Sequence, residues 1–385
     1  IIRNQLFLDN ILKYSGVMTS QEVLRQRRES NNNDAIMEWA TEEQMSKIDS
    51  VLKSVARDWS IEGREERGVV YDRFVGALEK YIPLDGQHKH CRDGDRGESC
   101  PPRIAVPGSG LGRLAWEIYS RGYSVQGSDF SLPMLLASDF MLNGCGIPPY
   151  DGAAETNGRA FRQFSISPWV SETKNTTSFQ ERIRTVVVPD VDPTSLQHND
   201  ARGAAPEFTM LAGEFLSLYS NFLPGHHHQV QIENNHSHQH PHPTKKFHAV
   251  VCSFFLDTAP SLPHYLLTIY HMLEDGGYLL HFGPLMYHWS GHGGLIPGDL
   301  DNQSKGNGDN TVSSTYQKRN KHLDPRYLSS IDYTWEEVRC MILQCGFEIE
   351  EEEMHIPARY TSDEQSMMKV VYDCVFLVAR KKPRS

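Results

Sequence analysis

Three glycines and one aspartate carry the clearest chemical signal in the sequence. Residues 107–113 read PGSGLGR, with glycine at positions 108, 110 and 112. Glycine permits tight turns, and without a Cβ it lets a ligand approach the backbone. Asp129 lies 21 residues beyond Gly108, where a carboxylate can accept hydrogen bonds from both hydroxyls of a ribose. The turn and the acid predict an adenosine site formed by Gly108, Gly110, Gly112 and Asp129.

The spacing of the turn bears on the kind of adenosine cofactor. The turn reads GxGxG, whereas dinucleotide-binding folds use GxGxxG. Further along, residues 273–280 read LEDGGYLL, with a glycine pair between a predicted helix and a predicted strand. This order resembles the helix–LxxGG–strand step of class I methyltransferases, which bind S-adenosylmethionine. The resemblance implies that cofactor, and a nucleotide-dependent dehydrogenase stays an alternative.

Strands and helices that alternate must position these residues. The apolar run RIAVP precedes the glycine turn, the strand pattern Tyr123–Gly127 precedes Asp129, and FHAVVCSFFLD (247–257) ends in another aspartate. Helical stretches separate the runs at Leu114–Ser120 and Leu262–Leu273. Such alternation predicts an α/β fold with a doubly wound, mostly parallel sheet that is Rossmann-like. A capping-box pattern at Thr334 and Glu337 predicts a helix that ends at Gln344, and KVVYDCVFLVA (369–379) predicts a closing strand.

A helical region comes before this domain. Apolar residues recur at steps of three and four, which places them on one helix face. One set comprises Met45, Ile48, Leu52, Val55 and Trp59, and a second set after Gly63 comprises Val70, Phe74, Leu78 and Tyr81. We predict a helical region over 1–81 that caps the cofactor site, a polar linker over 82–102, and an α/β domain over 103–385. Polar, low-complexity stretches near 225–246 and 291–322 predict disordered insertions.

Composition excludes several classes of protein. The chain has 385 residues and a net charge of −11, which argues against broad nucleic-acid binding. No apolar run approaches the length of a membrane-spanning helix. Seven irregularly spaced cysteines without a CxxC pair favour reduced thiols, and no metal site is predicted. The sequence opens with Ile1, so the absence of a signal-like segment carries little weight.

Seven segments resemble one family in detail, the carnosine N-methyltransferases with their N2227-type domain. The segments are VARDWSIEGREER (55–67), PGSGLGRLAWEI (107–118), VVVPDVDPTSL (186–196), FTMLAGEF (208–215), CSFFLDTA (252–259), GPLMYHW (283–289) and QSMMKVVYDCVFLVARK (365–381). The resemblance covers most of the chain. It implies S-adenosylmethionine-dependent N-methylation of the imidazole of carnosine or a related histidine dipeptide, which gives anserine from carnosine.

The resemblance also implies roles for single positions. Arg57 is expected to reach the cofactor carboxylate, Glu214 and Phe215 to lie beside the adenine, and Ser253 to border the cofactor pocket. The residues implied to hold the substrate imidazole are Asp257, His288, Tyr360 and Tyr372, of which Asp257 and His288 are the candidate catalytic residues. Three positions depart from the family pattern: Ser54 replaces a glutamine, Glu214 an aspartate, and Val370 a tyrosine.

The chemistry fits an aspartate at position 257. An imidazole attacks through the nitrogen that carries no proton, so a carboxylate that accepts a hydrogen bond from the other ring N–H would fix the tautomer. The alternative is a helix N-cap, because Thr258 and Pro260 favour a helix start. For Asp190 and Asp192, in the VPDVDP segment, a rigid turn is favoured over a role near the dipeptide's amino group.

Other functions stay open at this point. The acceptor is either a histidine dipeptide or a histidine in a peptide or protein, and a catalytically silent methyltransferase-like binding protein is a further alternative. The resemblance implies a location in the cytoplasm, or also in the nucleus, and is compatible with a homodimer. It implies no nucleic-acid or membrane partner. Which ring nitrogen is methylated, and the oligomeric state, are not fixed by the sequence.

Overall fold

A computed structural model describes most of the chain. The described residues are 2–17, 22, 41–84, 100–145, 161–194, 196, 205–224, 245–287, 330–361 and 363–383. Contacts divide the chain into two compact units. The first comprises Ile1–Phe215 with His355–Asp373, and the second comprises Leu216–Met354 with Cys374–Ser385. The division rests on contacts alone, and the domain bounds expected from sequence stay a prediction.

Three helices open the first unit: α1 (Ile2–Tyr14), α2 (Glu42–Trp59) and α3 (Arg64–Tyr81). Thr41 and Gln44 form a capping box at the start of α2. On the predicted apolar face of α2, Leu52, Val55 and Trp59 are buried, whereas Met45 is 51% exposed and does not belong to the core. The turn between α2 and α3 needs glycine, because a Cβ at Gly63 would lie 2.1 Å from the Arg57 carbonyl oxygen.

Parallel strands form the sheet of the first unit. The order is β5-β2-β1, and β2 pairs in parallel with both neighbours. Because parallel strands end at the same edge of a sheet, the segments that follow β1, β2 and β5 lie together there. A small antiparallel pair, β3–β4, lies apart from them. The elements in chain order are β1 (Arg103–Pro107), α4 (Arg113–Ser120), β2 (Ser124–Asp129), α5 (Leu132–Asp139), β3 (Phe164–Ile166), α6 (Phe179–Ile183), β4 (Val186–Val188), β5 (Phe208–Ala212) and α7 (Phe215–Tyr219).

The second unit has strands in the order β6-β7-β9-β8. Strand β6 pairs with β7 in parallel, and β7 pairs with β9 antiparallel. Residues on these strands, such as Val250, Leu279 and Leu377, are fully buried. The elements are β6 (Phe247–Ser253), α8 (Leu262–Met272), β7 (Leu273–Gly283), α9 (Trp335–Gln344), β8 (Phe347–Ala358) and β9 (Tyr372–Lys381). The predicted α/β class with mostly parallel strands is confirmed.

Two strands differ from the sequence-based expectation. The glycine pair of LEDGGYLL lies inside β7, which begins directly after α8, and the β6–β7 register shifts between Phe247 and Ala249. Gly276 has a φ of +82° there, so the strand is irregular where a connection was predicted. Strand β8 was not predicted. Its sequence, FEIEEEEMHIPA, has too many glutamates for an apolar run.

The predicted helix near the end of the chain is confirmed. Thr334 caps α9, and its hydroxyl and the Glu337 side chain form the expected capping box.

Within the described ranges, no helix combines the length and the apolar character needed to cross a bilayer. Cys100 is disulfide-bonded, so the expectation of reduced thiols is wrong at that position. The thiols of Cys145, Cys252, Cys340 and Cys345 are not oxidised.

Candidate cofactor and catalytic site

The glycine turn after β1 has the backbone that the sequence implies. Gly108, Gly110 and Gly112 have φ values of +67°, +53° and +76°, a region that favours glycine. A Cβ at Gly110 would meet nothing within 4 Å, whereas a Cβ at Gly112 would lie 2.8 Å from Leu142 Cδ1. Gly112 is therefore required by internal packing, and Gly110 borders open space in which a ligand can approach the backbone.

Asp129 ends β2 beside this turn. Its Oδ2 accepts a hydrogen bond from the Gly110 N–H (2.9 Å), and its Oδ1 accepts one from the Ser131 N–H (2.8 Å). Burial raises the pKa of Asp129, and the backbone N–H groups of Ser131, Gly110 and Phe130 offset part of the rise. A carboxylate has about four acceptor sites, so the bonds from the backbone leave capacity for a ribose hydroxyl.

The segment after β5 reaches the same edge. Ala212 is the register partner of Asp129, and the Gly213 N–H donates to the Asp129 carbonyl oxygen (2.9 Å). Glu214 is half-buried, and Phe215 is 5% exposed. The structure thus brings Gly110, Asp129 and the Glu214–Phe215 pair together. The low exposure of Phe215 indicates a packed ring at the border of the site.

A buried ionic network supports the turn. Asp190 accepts from Arg67 Nη2 (2.5 Å) and from Arg113 Nη1 (2.5 Å), and all three side chains are less than a tenth exposed. The indole N–H of Trp59 donates to the Leu111 carbonyl oxygen (3.2 Å). These bonds join the end of α2 to the glycine turn. The rigid-turn interpretation of the VPDVDP segment therefore fits Asp190, which is bound by two internal arginines.

Arg57 lies at the end of α2 and makes a bidentate pair with its neighbour Asp58, at 2.6 and 2.8 Å. Burial lowers the pKa of Arg57, but the Asp58 carboxylate, together with Tyr360 and Tyr71, more than offsets this, so the pKa lies well above its ordinary value. The guanidinium lies 4.3 Å from the centre of the Tyr360 ring. The structure thus brings together two predicted site residues, Arg57 and Tyr360, whose sequence positions are about 300 residues apart.

Asp257 belongs to the second unit. It lies in a 3₁₀ turn (Leu256–Thr258) directly after β6 and is 3% exposed. Its Oδ2 accepts a hydrogen bond from the Met286 N–H (3.0 Å). Helix α8 has Ser261 as its N-cap residue, so the N-cap alternative for Asp257 is wrong. Ser253 ends β6 and is half-buried.

The remaining predicted site residues are two tyrosines, which differ in exposure, and one histidine. Tyr372 is the first residue of β9 and is half-buried, and Tyr360 is 42% exposed. His288 lies outside the described residues. Sequence reasoning missed the partners of Arg57 and Asp190. The charge of each residue was the one local signal, and it does not show which partner the fold brings near.

The first unit fits an adenosine group. The open side of Gly110 admits a ligand to the backbone, and Asp129 is fixed at the neighbouring strand end by the Gly110 N–H. A side chain at position 110 would fill the open space beside the turn. The site thus defines an α/β protein with an open glycine turn at the carboxyl edge of parallel strands, the place where such folds receive nucleotide-type ligands.

Comparisons with known proteins give the family. A family model described as carnosine N-methyltransferase matches residues 35–383. The carnosine N-methyltransferase of Mus musculus is 30% identical over 337 residues, which cover 88% of this chain and 63% of that protein. The enzyme of the same name from Schizosaccharomyces pombe is 29% identical over 336 residues, covering 87% of this chain and 71% of that protein. The chain belongs to the carnosine N-methyltransferase family.

Solved structures were also compared. A SAM-dependent methyltransferase from Methanosarcina mazei has a TM-score of 0.32 at 16% identity, covering 74% of this chain and 94% of that chain. The magnesium protoporphyrin IX methyltransferase from Synechocystis, with bound SAH, has a TM-score of 0.33 at 15% identity, covering 94% and 95%. The chain spans less than two thirds of the length of the mouse relative.

Proposed function

We propose that this chain uses S-adenosylmethionine to methylate an imidazole nitrogen of carnosine or a related histidine dipeptide, giving anserine from carnosine. The observation that carries the proposal is a buried carboxylate, Asp257, directly after a strand in a chain of this family. The adenosine-type turn with Asp129 supports the cofactor. The mouse, rat and yeast relatives are named for carnosine methylation.

Methyl transfer to an imidazole requires a correctly positioned ring and a hydrogen-bond acceptor for its N–H. When bound, the cofactor supplies a methyl group on a sulfonium, which is electrophilic. Asp257 accepts a hydrogen bond from one imidazole N–H, so the other nitrogen keeps its lone pair for attack. The N–C bond would form as the S–C bond of the sulfonium breaks, so the positive charge would pass from sulfur to the ring, where the Asp257 carboxylate would stabilise it. The ring proton would then leave to that carboxylate or to water, giving a neutral methylimidazole. The Met286 N–H holds one Asp257 oxygen in place.

Other residues have binding roles in this proposal. Asp129 and the glycine turn hold the ribose, Glu214 and Phe215 border the adenine, and Arg57 and Ser253 complete the cofactor site. The family resemblance assigns His288, Tyr360 and Tyr372 to binding of the imidazole. The helices α2 and α3 cap the cofactor site, which the bond from Trp59 to the Leu111 carbonyl and the Arg113 bond to the Asp58 carbonyl (3.2 Å) support.

Product analysis tests the function directly. The full chain is incubated with labelled S-adenosylmethionine and, in separate reactions, with carnosine, free histidine and histidine-containing proteins, and products are mapped by mass spectrometry. We expect methyl transfer to the ring of carnosine. Labelling of protein histidine alone would replace the acceptor, and no transfer to any acceptor would support the silent binding protein. A cytoplasmic or nuclear location and a homodimer stay predictions from the resemblance.

Two variants separate chemistry from cofactor binding. Asp257→Ala is expected to lower kcat by about 100-fold or more, because a positioned acid–base partner contributes on that order, while calorimetry finds cofactor affinity nearly unchanged. Asp129→Ala is expected to weaken cofactor binding instead. Asp72→Asn, on the exposed face of α3, is the control and should change neither. Retained turnover in Asp257→Ala at saturating cofactor would contradict its role.

A further inference from the structure

One segment from the end of the chain packs within the first unit. The segment His355–Asp373, which we call the arm, joins the last residues of β8 to the first residues of β9 and belongs to the first unit by its contacts. At its base, His355 Nδ1 and Asp373 Oδ2 lie 2.8 Å apart, so the two ends of the arm meet there. The arm contains Tyr360, which the family resemblance assigns to binding of the imidazole. The contacts of the arm within the first unit therefore decide where Tyr360 lies.

The backbone directly after Tyr360 is strained. Thr361 has a φ of +54°, in the left-handed region that a β-branched residue rarely adopts because its Cβ meets the backbone. Such a conformation persists only where surrounding contacts hold it, and it often marks a functional position. The contact here comes from Glu66 of α3, whose Oε1 accepts a hydrogen bond from the Thr361 N–H (2.5 Å). Glu66 thus holds the corner of the arm next to Tyr360.

Arg184 holds the arm on the other side of this corner. Its Nη2 donates to Asp363 Oδ1 (2.5 Å), and its Nη1 donates to Gln365 Oε1 (3.3 Å). The guanidinium carbon of Arg184 lies 3.6 Å from the centre of the Trp169 ring. The side chains of Arg184 and Asp363 are only 20% and 15% exposed, so salt screens this pair less than a surface pair. Arg184 therefore joins the arm to a buried ring of the first unit.

These two contacts hold Tyr360 at a place that a ligand can reach. The centre of its ring lies 4.3 Å from the guanidinium carbon of Arg57, yet 42% of Tyr360 is exposed. Glu66, Arg184 and Arg57 line one cavity of about 310 Å³ in the first unit. A loop that is already ordered loses little conformational entropy when a ligand binds, so the docked arm favours binding at Tyr360.

We propose that Glu66 and Arg184 are positioning residues for the proposed methyl transfer. They hold the arm and thereby keep Tyr360 in place to bind the acceptor, and neither of them touches the acceptor itself. This inference rests on the proposed function and deepens it, because it states what fixes one residue assigned to the imidazole. Loss of either contact weakens acceptor binding and leaves the chemical step at Asp257 nearly unchanged.

Variants of Glu66 test the first contact. Glu66→Ala removes the acceptor of the Thr361 N–H, so the KM for carnosine at saturating cofactor should rise about tenfold, the size of one charge-assisted hydrogen bond, while kcat stays nearly unchanged. Glu66→Gln keeps an oxygen that can accept this bond and should restore most of the KM. Glu65→Ala, which removes a neighbouring exposed glutamate of the same helix, is the control and should change neither constant.

A direct measurement of the arm accompanies the kinetics. Hydrogen exchange followed by mass spectrometry should show faster exchange over residues 359–368 in Glu66→Ala than in Glu65→Ala or the unmodified chain. The affinity for S-adenosylhomocysteine, measured by calorimetry, should stay nearly unchanged, because Asp58 and not the arm holds the Arg57 guanidinium by two hydrogen bonds.

Arg184 gives a second test that does not depend on Glu66. Arg184→Ala and Asp363→Ala break the same ion pair, so each should raise the KM for carnosine and speed exchange of the arm. Because the two changes remove one contact, the double variant should raise the KM no further than Arg184→Ala alone. This cycle keeps the inference testable even if Glu66→Ala fails to fold.

The outcomes separate this inference from the proposed function. Faster exchange of the arm with an unchanged KM would show a purely structural role and overturn the inference, and so would unchanged exchange in both Glu66→Ala and Arg184→Ala. Methyl transfer by the unmodified chain is measured first, and the KM is taken for the acceptor found there. If no acceptor is methylated, the proposed function fails and the positioning role fails with it. If an acceptor is methylated and its KM does not respond, only the positioning role is wrong.

Discussion

At the scale of single residues, His281 is a buried titratable group whose pKa shift falls between neutral and acidic pH. Its side chain in β7 is 1% exposed and stacks on Trp335, with the ring centres 5.7 Å apart. Burial lowers the pKa of His281 to about 4, with a smaller opposite effect from the backbone of Cys252. The unfolded chain titrates near the ordinary pKa of about 6.5. Between these values the unfolded state binds more protons, so stability falls as the pH falls.

Replacement of this histidine should flatten the acid side of the stability profile. For the unmodified chain, the His281 contribution to the free energy of unfolding should drop by about 2 kcal/mol between about pH 7 and about pH 5. His281→Phe keeps a ring against Trp335 and removes that drop, which urea unfolding at the two pH values can measure. His264→Gln, at an exposed position, should keep the slope of the unmodified chain. Equal slopes in all three proteins would contradict the assignment.

Residue types were predictable, but their partners often were not. Asp129 was found from its distance to the glycine turn, and its bond to the Gly110 N–H fits that prediction. Arg57 was expected to reach a ligand carboxylate, and its nearest anion is the adjacent Asp58. A single sequence does not reveal which of several nearby carboxylates an arginine chooses, because that choice depends on the side-chain geometry of the folded helix end.

At the scale of elements, two glycines of the turn differ in role: Gly112 is needed for internal packing, and Gly110 leaves space for a ligand. Gly112→Ala should lower the free energy of unfolding by about 3 kcal/mol, because the added Cβ combines left-handed strain with overlap on Leu142. Gly110→Ala should cost about 1–2 kcal/mol, from strain alone, yet should weaken binding of S-adenosylhomocysteine. Thermal unfolding and calorimetry on both variants measure the two effects. A loss of stability in Gly110→Ala as large as that in Gly112→Ala would contradict this division.

Elements with a strong local signal were predicted closely, and others were missed for physical reasons. The strand RIAVP and the capping box at Thr334 are encoded by short apolar runs and by side chains that bond to nearby backbone. Strand β8 has no such signal, since its glutamates are tolerated only at the end of the strand order. The helix-to-strand step at Leu273 was misread because Gly276 suggests a turn, whereas Leu273 already pairs with Phe247 of β6, so the strand begins before the glycine pair.

At the scale of the molecule, Asp190 joins parts of the first unit that are distant in sequence. It binds Arg67, 123 positions away, and Arg113, 77 positions away. Burial lowers the pKa of Arg67, as does the charge of Arg113, whereas Asp190 raises it. The two arginine charges repel each other, and the Asp190 carboxylate that binds both offsets this repulsion. No local pattern encodes such a network, so sequence reasoning predicted a rigid turn at Asp190 and no more.

Loss of this carboxylate should destabilise the chain strongly. Asp190→Asn leaves two buried cations without their shared anion, so the free energy of unfolding should fall by about 3–5 kcal/mol. Asp192→Asn is the matched control in the same segment. Asp192 is half-buried and accepts from the Thr194 N–H (2.9 Å), so its replacement should cost about 1 kcal/mol. Chemical denaturation followed by fluorescence distinguishes the two. Similar midpoints for both variants would show that the arginines find other anions.

The glutamates of β8 also bear on how copies of this chain meet. Strand β8 is terminal in the order β6-β7-β9-β8, and Glu348, Glu350 and Glu353 are exposed along it. If the β8 strands of two copies paired edge to edge through backbone hydrogen bonds, their glutamate side chains would lie close together and repel. Near neutral pH this repulsion disfavours the strand-by-strand growth that leads to fibrils, so we expect any dimer of this protein to use another surface.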